Sequence, residues 1–100
     1  MQKHRLQNLQ SKFFHSNDID FPFENHSNQS RLTKAVCIDC EMVGIGELGA
    51  DNMVARVSIV NQLGQCLYDK YVLPNEPVVD YRTAVSGVTE QHLQHGLNFQ

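Results

Sequence analysis

The feature that most constrains this chain is an apolar run, Ala35 to Gly44, that contains two acidic residues, Asp39 and Glu41. Its β-branched and apolar residues predict a strand, but acids are depleted in strands and rarely lie fully buried without a partner. Two carboxylates within one hydrophobic strand therefore need a chemical explanation. A divalent cation bound by carboxylate oxygens would provide one, and such cations commonly serve phosphate chemistry.

Strand geometry predicts how these two acids are arranged. Side chains alternate along a strand, so Asp39 and Glu41 are expected on the same face. Hard oxygen ligands select Mg²⁺ or Mn²⁺, and two such ions about 3.5–4 Å apart can clamp the attacking and leaving oxygens of a phosphodiester. The spacing alone equally allows a solvent-facing pair, or one that forms ion pairs with Arg56 or Arg82.

The first 34 residues differ in character from the rest of the chain. Residues 1–34 are rich in Gln, Asn, Ser and His, which predicts a polar, largely irregular tail. Within it Leu6, Leu9 and Phe13 have helical spacing, which allows a short amphipathic helix. Residues 35–100 carry eight of the 11 acidic and three of the 8 basic side chains. This acidic body suits a metal site and opposes a polyanion unless metal or further residues compensate.

Residues 35–100 predict an incomplete α/β domain. Strands at residues 35–43, 53–60 and 65–72 are separated by short connections, which favours a three-stranded antiparallel meander. A short helix follows at residues 90–95, with Thr89 as its N-cap. These elements do not cover both faces of a sheet, so we expect the N-terminal part of a larger domain, incomplete at the C-terminus.

Composition excludes some classes of protein. No run of about 18 apolar residues occurs, so no membrane span is expected. A polar stretch follows the basic start, which argues against a signal peptide. The odd number of cysteines, 3, predicts free thiols in a reducing compartment without a disulfide partner.

Three other patterns suggest sites but fail on context. Cys37 and Cys40 are spaced for a redox or zinc pair, yet residues three apart in a strand point to opposite faces. The glycine spacing at residues 44–49 matches a dinucleotide fingerprint, but a strand follows it instead of a helix. His92 and His95 lie one helical turn apart and could bind a metal, but exposed histidines on a polar helix are far more common.

The acidic strand also resembles a known family. Residues 37–44, CIDCEMVG, resemble the first exonuclease motif of the DEDD superfamily, and most specifically the RNA exonuclease 4 family and its relative, the interferon-stimulated exonuclease. Further blocks follow in order at residues 55–61, 68–72 and 80–88. The resemblance covers residues 35–100 and implies an RNase H-like fold with 3′-to-5′ hydrolysis of nucleic acid and release of nucleoside monophosphates.

The resemblance implies roles for four residues. Asp39 would bridge two Mg²⁺ or Mn²⁺ ions, and Glu41 would bind one ion and orient the attacking water. Met42 would meet the terminal nucleotide, and Arg82 would reach the terminal ribose or a phosphate, a task that suits its forked guanidinium. By residue type alone, Met42 is more often a core residue, and Arg56 is either a structural ion-pair partner or an RNA contact.

The family's second and third motifs, which carry the other metal ligands and a histidine base, do not occur before Gln100. We therefore expect negligible activity from these 100 residues alone. Single-stranded RNA as the substrate (DNA being possible), ribosomal RNA processing, and a nuclear or nucleolar location follow from the resemblance only. The alternative is a catalytically inactive truncated fragment that acts at most as a nucleic-acid or protein interaction module.

Overall fold

A computed structural model describes residues 12–18 and 31–98 of the chain. Its main element is a five-stranded antiparallel sheet in the order β1-β2-β3-β4, with β5 also paired to β2. Among the described residues, no helix is long and apolar enough to cross a membrane. The elements are β1 (Lys12–His15), β2 (Ala35–Ile45), β3 (Asp51–Asn61), β4 (Cys66–Tyr71), β5 (Val78–Asp80), α1 (Thr83–Ser86) and α2 (Glu90–Leu93).

The three central strands form the meander that the sequence predicts. β2 and β3 pair antiparallel over their length and are connected through a 3₁₀ turn, Glu47–Gly49. β3 and β4 are joined by a tight turn that Asn61 stabilises. Its side-chain oxygen accepts hydrogen bonds from the backbone N–H groups of Leu63 and Gln65, both at 2.9 Å. The predicted meander is thus confirmed, with β2 and β3 slightly longer than expected.

Two further strands extend the sheet beyond the prediction. β1 lies in the predicted tail and pairs with β2, with Phe13 opposite Cys37. β5 pairs with β2 at Gly44 and Ile45, on the edge that β3 leaves free. The predicted helix is therefore wrong at Phe13, because its backbone takes an open strand edge that local spacing does not reveal. Leu6 and Leu9 lie outside the described residues.

The main buried cluster lies on the face of the sheet that the Val88–Leu93 segment covers. The cluster combines strand and helix residues, and partly buried side chains pack around it. The buried members are Val43, Ala55, Val88 and Leu93, and the partly buried ones are Met53, Tyr71, Val78 and Tyr81. Thr89 caps α2 as predicted: its hydroxyl accepts from the His92 N–H, and the His92 side chain accepts from the Thr89 N–H. The helix ends at Leu93, two residues before the predicted end.

Candidate metal centre on the sheet

Asp39 and Glu41 lie in the middle of β2, directly opposite two polar residues of β3. Asp39 pairs with Ser58 and Glu41 pairs with Arg56 in the antiparallel register. Directly paired residues share a face, so these four side chains form one polar patch. Both carboxylates are half-buried. By strand alternation the same row continues into Val43, so the acids lie on the face that carries the core.

A β-bulge marks the boundary between the polar patch and the core. Glu41 pairs with Arg56, but the next residue of β2 pairs with Val54, so the register skips Ala55. Ala55 is fully buried in the core, while its neighbour Arg56 lies opposite Glu41. Bulges re-aim side chains in this way. Of these two consecutive residues of β3, Ala55 therefore belongs to the core and Arg56 to the polar patch.

Arg56 forms an ion pair with Asp69 of β4. Its Nε and Nη2 atoms donate to Asp69 Oδ1 and Oδ2 at 2.8 and 2.6 Å, and Ser58 Oγ donates to Oδ1 at 3.2 Å. These hydrogen bonds raise the pKa of Arg56 and lower the pKa of Asp69. The negative charge of Glu41 also helps to raise the pKa of Arg56, so these charges interact across β3. The structure thus shows Arg56 as an ion-pair partner, but of Asp69, which the sequence did not single out.

Arg82 is anchored to the turn between β2 and β3. Its guanidinium donates to the Gly49 carbonyl at 3.0 Å and to Asn52 Oδ1 at 2.7 Å. Its backbone has φ of 50°, and its N–H donates to Asp80 Oδ1 at 2.9 Å. These hydrogen bonds connect the turn to the segment after β5, and no sequence pattern predicts this contact. The implied contact of Arg82 with substrate stays a prediction.

Met42, Cys37 and Cys40 are half-buried residues of β2. By strand alternation Met42, which is half-buried, has its side chain on the face opposite Asp39. Burial raises the pKa of the Cys37 and Cys40 thiols, and the Asp39 charge adds to the effect. Less thiolate forms at neutral pH as a result, which opposes redox chemistry at this pair. Cys66 is likewise a free thiol.

Of the two histidines in the α2 region, His92 makes structural contacts. The His92 ring stacks on Tyr71 with 4.7 Å between ring centroids and 15° between planes, and it also caps α2. His95 is exposed. Within residues 12–18 and 31–98 no group of three or more His, Cys, Asp or Glu side chains is arranged to hold a metal ion. Asp39 and Glu41 supply hard oxygen donors that fit Mg²⁺ or Mn²⁺, as part of a ligand set.

Comparison with known proteins places this strand pattern in a family. Residues 36–100 match the exonuclease family RNase T. The chain belongs to this exonuclease family. The resemblance found in the sequence is thus confirmed, and the antiparallel sheet with its short helices is consistent with part of an α/β, RNase H-like exonuclease fold.

Several relatives are similar over the same part of the chain. RNA exonuclease 4 of Mus musculus is 61% identical over 69 residues, and that of Homo sapiens is 63% identical over 65 residues. Apoptosis-enhancing nuclease of Rattus norvegicus is 47% identical over 79 residues. The aligned parts make up 69%, 65% and 79% of this chain but 16%, 15% and 24% of those relatives. The chain therefore spans a small part of the length of the relatives that it matches, and it is part of a nuclease family.

Proposed function

We propose that the protein is a divalent-metal-dependent 3′-to-5′ exonuclease that hydrolyses RNA and releases nucleoside monophosphates. Membership of the exonuclease family over residues 36–100 supports the reaction class. The name of the relatives, RNA exonuclease 4, supports RNA as the substrate. Single-stranded DNA is a secondary substrate under this proposal, and ribosomal RNA processing in the nucleus or nucleolus is its proposed setting.

The observation that carries the proposal is the pair of half-buried carboxylates on one face of β2. Asp39 and Glu41 stand two residues apart in a strand that is otherwise apolar, within the segment that matches the exonuclease family. In this proposal Asp39 and Glu41 would both hold Mg²⁺ or Mn²⁺ through their carboxylate oxygens, and Glu41 would also orient the attacking water. When bound, such ions activate water and neutralise charge on the leaving oxygen of a phosphodiester.

Two further residues are proposed to contact the substrate. Met42 follows Glu41 directly in β2, so its backbone lies beside the carboxylates, and we assign it to contact with the terminal nucleotide. Arg82 carries a planar fork of donors, which suits a phosphate or a ribose. Because Arg82 also holds the β2–β3 turn, its replacement is expected to weaken substrate binding and to loosen that turn together.

The decisive test is Asp39→Asn in the full-length protein, assayed on single-stranded RNA that carries a 5′ label. We expect turnover to fall by about 10³-fold or more, because a catalytic ligand is lost while the side-chain shape is kept. EDTA should abolish wild-type activity, and Mg²⁺ or Mn²⁺ should restore it. Glu76→Gln is the matched control, since it removes one exposed carboxylate in the loop before β5.

The outcomes separate the parts of the proposal. Full activity in Asp39→Asn would remove Asp39 from the metal site. Labelled products that shorten stepwise indicate 3′-to-5′ digestion, whereas immediate release of the labelled mononucleotide would contradict that direction. RNA and DNA of the same sequence, compared in one assay, test the preference for RNA.

The isolated 100-residue chain provides a companion test. It contributes two carboxylates to the proposed site, and hydrolysis with two ions needs more ligands and a general base. We therefore expect negligible trimming of labelled RNA by the isolated chain. Robust, EDTA-sensitive trimming by these 100 residues would show that they contain a sufficient site.

A further inference from the structure

Arg56 is placed where it can compete with a metal ion for the Glu41 carboxylate. Arg56 is the direct cross-strand neighbour of Glu41, close enough for their side chains to interact. A guanidinium in that position competes with a metal ion for the same carboxylate oxygens, since both are cations that bind oxygen. A metal site at Glu41 therefore works best if something else engages this arginine.

Asp69 engages Arg56 from the opposite side. Its two oxygens accept both Nε and Nη2 of Arg56, which is the fork geometry that favours arginine over lysine. Asp69 sits on β4 and Glu41 on β2, so the Nε and Nη2 donors of Arg56 are committed to the β4 side of the patch. Ser58 donates to Asp69 Oδ1 and so helps to orient the carboxylate.

Tyr71 completes the arrangement. The Arg56 guanidinium carbon lies 5.5 Å from the centroid of the Tyr71 ring, within cation–π range. The Arg56 and Asp69 side chains are 36% and 37% exposed, so bonding geometry and not burial holds the pair in place. Arg56 is thus fixed by an anion at its end and an aromatic ring at its side.

We propose that Asp69 is a positioning residue that holds Arg56 on the β4 side of the sheet and thereby limits its competition for the Glu41 oxygens. This inference rests on the proposed function, since it presumes a divalent cation at Asp39 and Glu41. It assigns the Arg56–Asp69 pair to the tuning of metal affinity. A purely structural ion pair would affect folding stability but not the affinity for metal.

The test measures Mn²⁺ binding to the full-length protein, by calorimetry and by the electron paramagnetic resonance signal of free Mn²⁺. In Asp69→Asn the released guanidinium is expected to interact more strongly with Glu41 and weaken Mn²⁺ binding about five- to tenfold. Arg56→Gln should bind Mn²⁺ as tightly as the wild type or more tightly. The double variant Arg56→Gln/Asp69→Asn should return to within about twofold of the wild type, because the competitor is gone.

Matched controls separate a local effect from a general change of charge. The double variant has the same net charge as the wild type. Glu76→Gln changes the net charge as Asp69→Asn does, but at an exposed loop position. Equal weakening by Glu76→Gln and Asp69→Asn would overturn the inference, as would a double variant that binds Mn²⁺ as weakly as Asp69→Asn. Asp69→Ser provides a second variant should Asp69→Asn fail to fold.

Asp39→Asn distinguishes failure of this inference from failure of the proposed function. If the wild type binds no Mn²⁺, or Asp39→Asn binds it equally well, both proposals fall. If binding depends on Asp39 but is unchanged in Asp69→Asn, this inference alone falls. In activity assays Asp69→Asn should raise the Mn²⁺ concentration needed for half-maximal rate and leave the KM for RNA unchanged at saturating metal.

Discussion

The two halves of one face of β2 differ in almost every property. Around Val43 the face is dry: the side chain is fully buried and packs with Ala55, Val88 and Leu93. Two residues earlier, Glu41 is half-buried beside a network of charged and hydroxyl groups. The same strand, with the same alternation, therefore supplies both a core and a polar patch.

Two features explain the difference: the residues that pack over each half of the face, and the register between β2 and β3. Val88, between α1 and α2, and Leu93 of α2 pack at the Val43 end, and the bulge at Ala55 marks the end of the apolar packing. On the other side of the bulge, the residue of β3 that faces β2 is the charged Arg56. The polar patch thus lies directly next to the core, and we expect substitutions in the two halves to affect stability differently.

The largest expected effect is a loss of folding stability when the buried half of the face is altered. Leu93→Ala should lower the free energy of unfolding by about 2–5 kcal/mol, because it leaves a cavity in the buried cluster. Glu41→Gln, in the polar half, should change it by less than about 1 kcal/mol. Urea denaturation of both variants measures the contrast, and an equal loss in both would show that the two halves form one structural unit.

The next largest effect is a loss of stability where β2 packs closely against the turn that follows it. A Cβ at Gly44 would overlap the Gly49 carbonyl oxygen and lie 3.2 Å from Arg82 Nη2. Gly44→Ala should therefore cost about 1–3 kcal/mol, because backbone atoms must move. Gly87→Ala is a useful comparison, since a Cβ there meets nothing within 4 Å and only the positive φ opposes it. If Gly44→Ala proves neutral by thermal denaturation, the close packing of the turn on β2 is not required.

The smallest effect is the pH dependence of the Arg56–Asp69 pair. Hydrogen bonds from Arg56 lower the pKa of Asp69 below its ordinary value of 3.8. Its contribution to stability is therefore fully present above that pH and is lost as the pH falls through the lowered pKa. Because both side chains are more than a third exposed, the contribution should be about 0.2–1 kcal/mol.

The measurement compares wild type with Asp69→Asn at pH 6 and again at a pH below 3.8. The stability difference between the two proteins should shrink at the lower pH. A difference that persists unchanged would mean that charge pairing contributes nothing and that shape alone distinguishes the two side chains.

Much of the fold follows from local pattern. The three long strands, the tight turn at Asn61 and the Thr89 cap were all predictable, since alternation, turn residues and capping act over a few positions. β1 was missed because its pairing depends on the free edge of β2, far away in sequence. The partner of Arg56 was missed because Asp69 is 13 positions away and only the sheet register brings it near.

The sequence by itself determined that Asp39 and Glu41 share one face of an apolar strand, because the period of a strand leaves no other choice. It also determined the family, since the blocks that carry the resemblance are short segments that follow one another in order along the chain. Only the tertiary structure decided where the core ends and the polar patch begins. That boundary depends on a skipped residue at Ala55 and on Asp69 reaching Arg56, and both arise from the pairing of strands and not from the order of residues within any one of them.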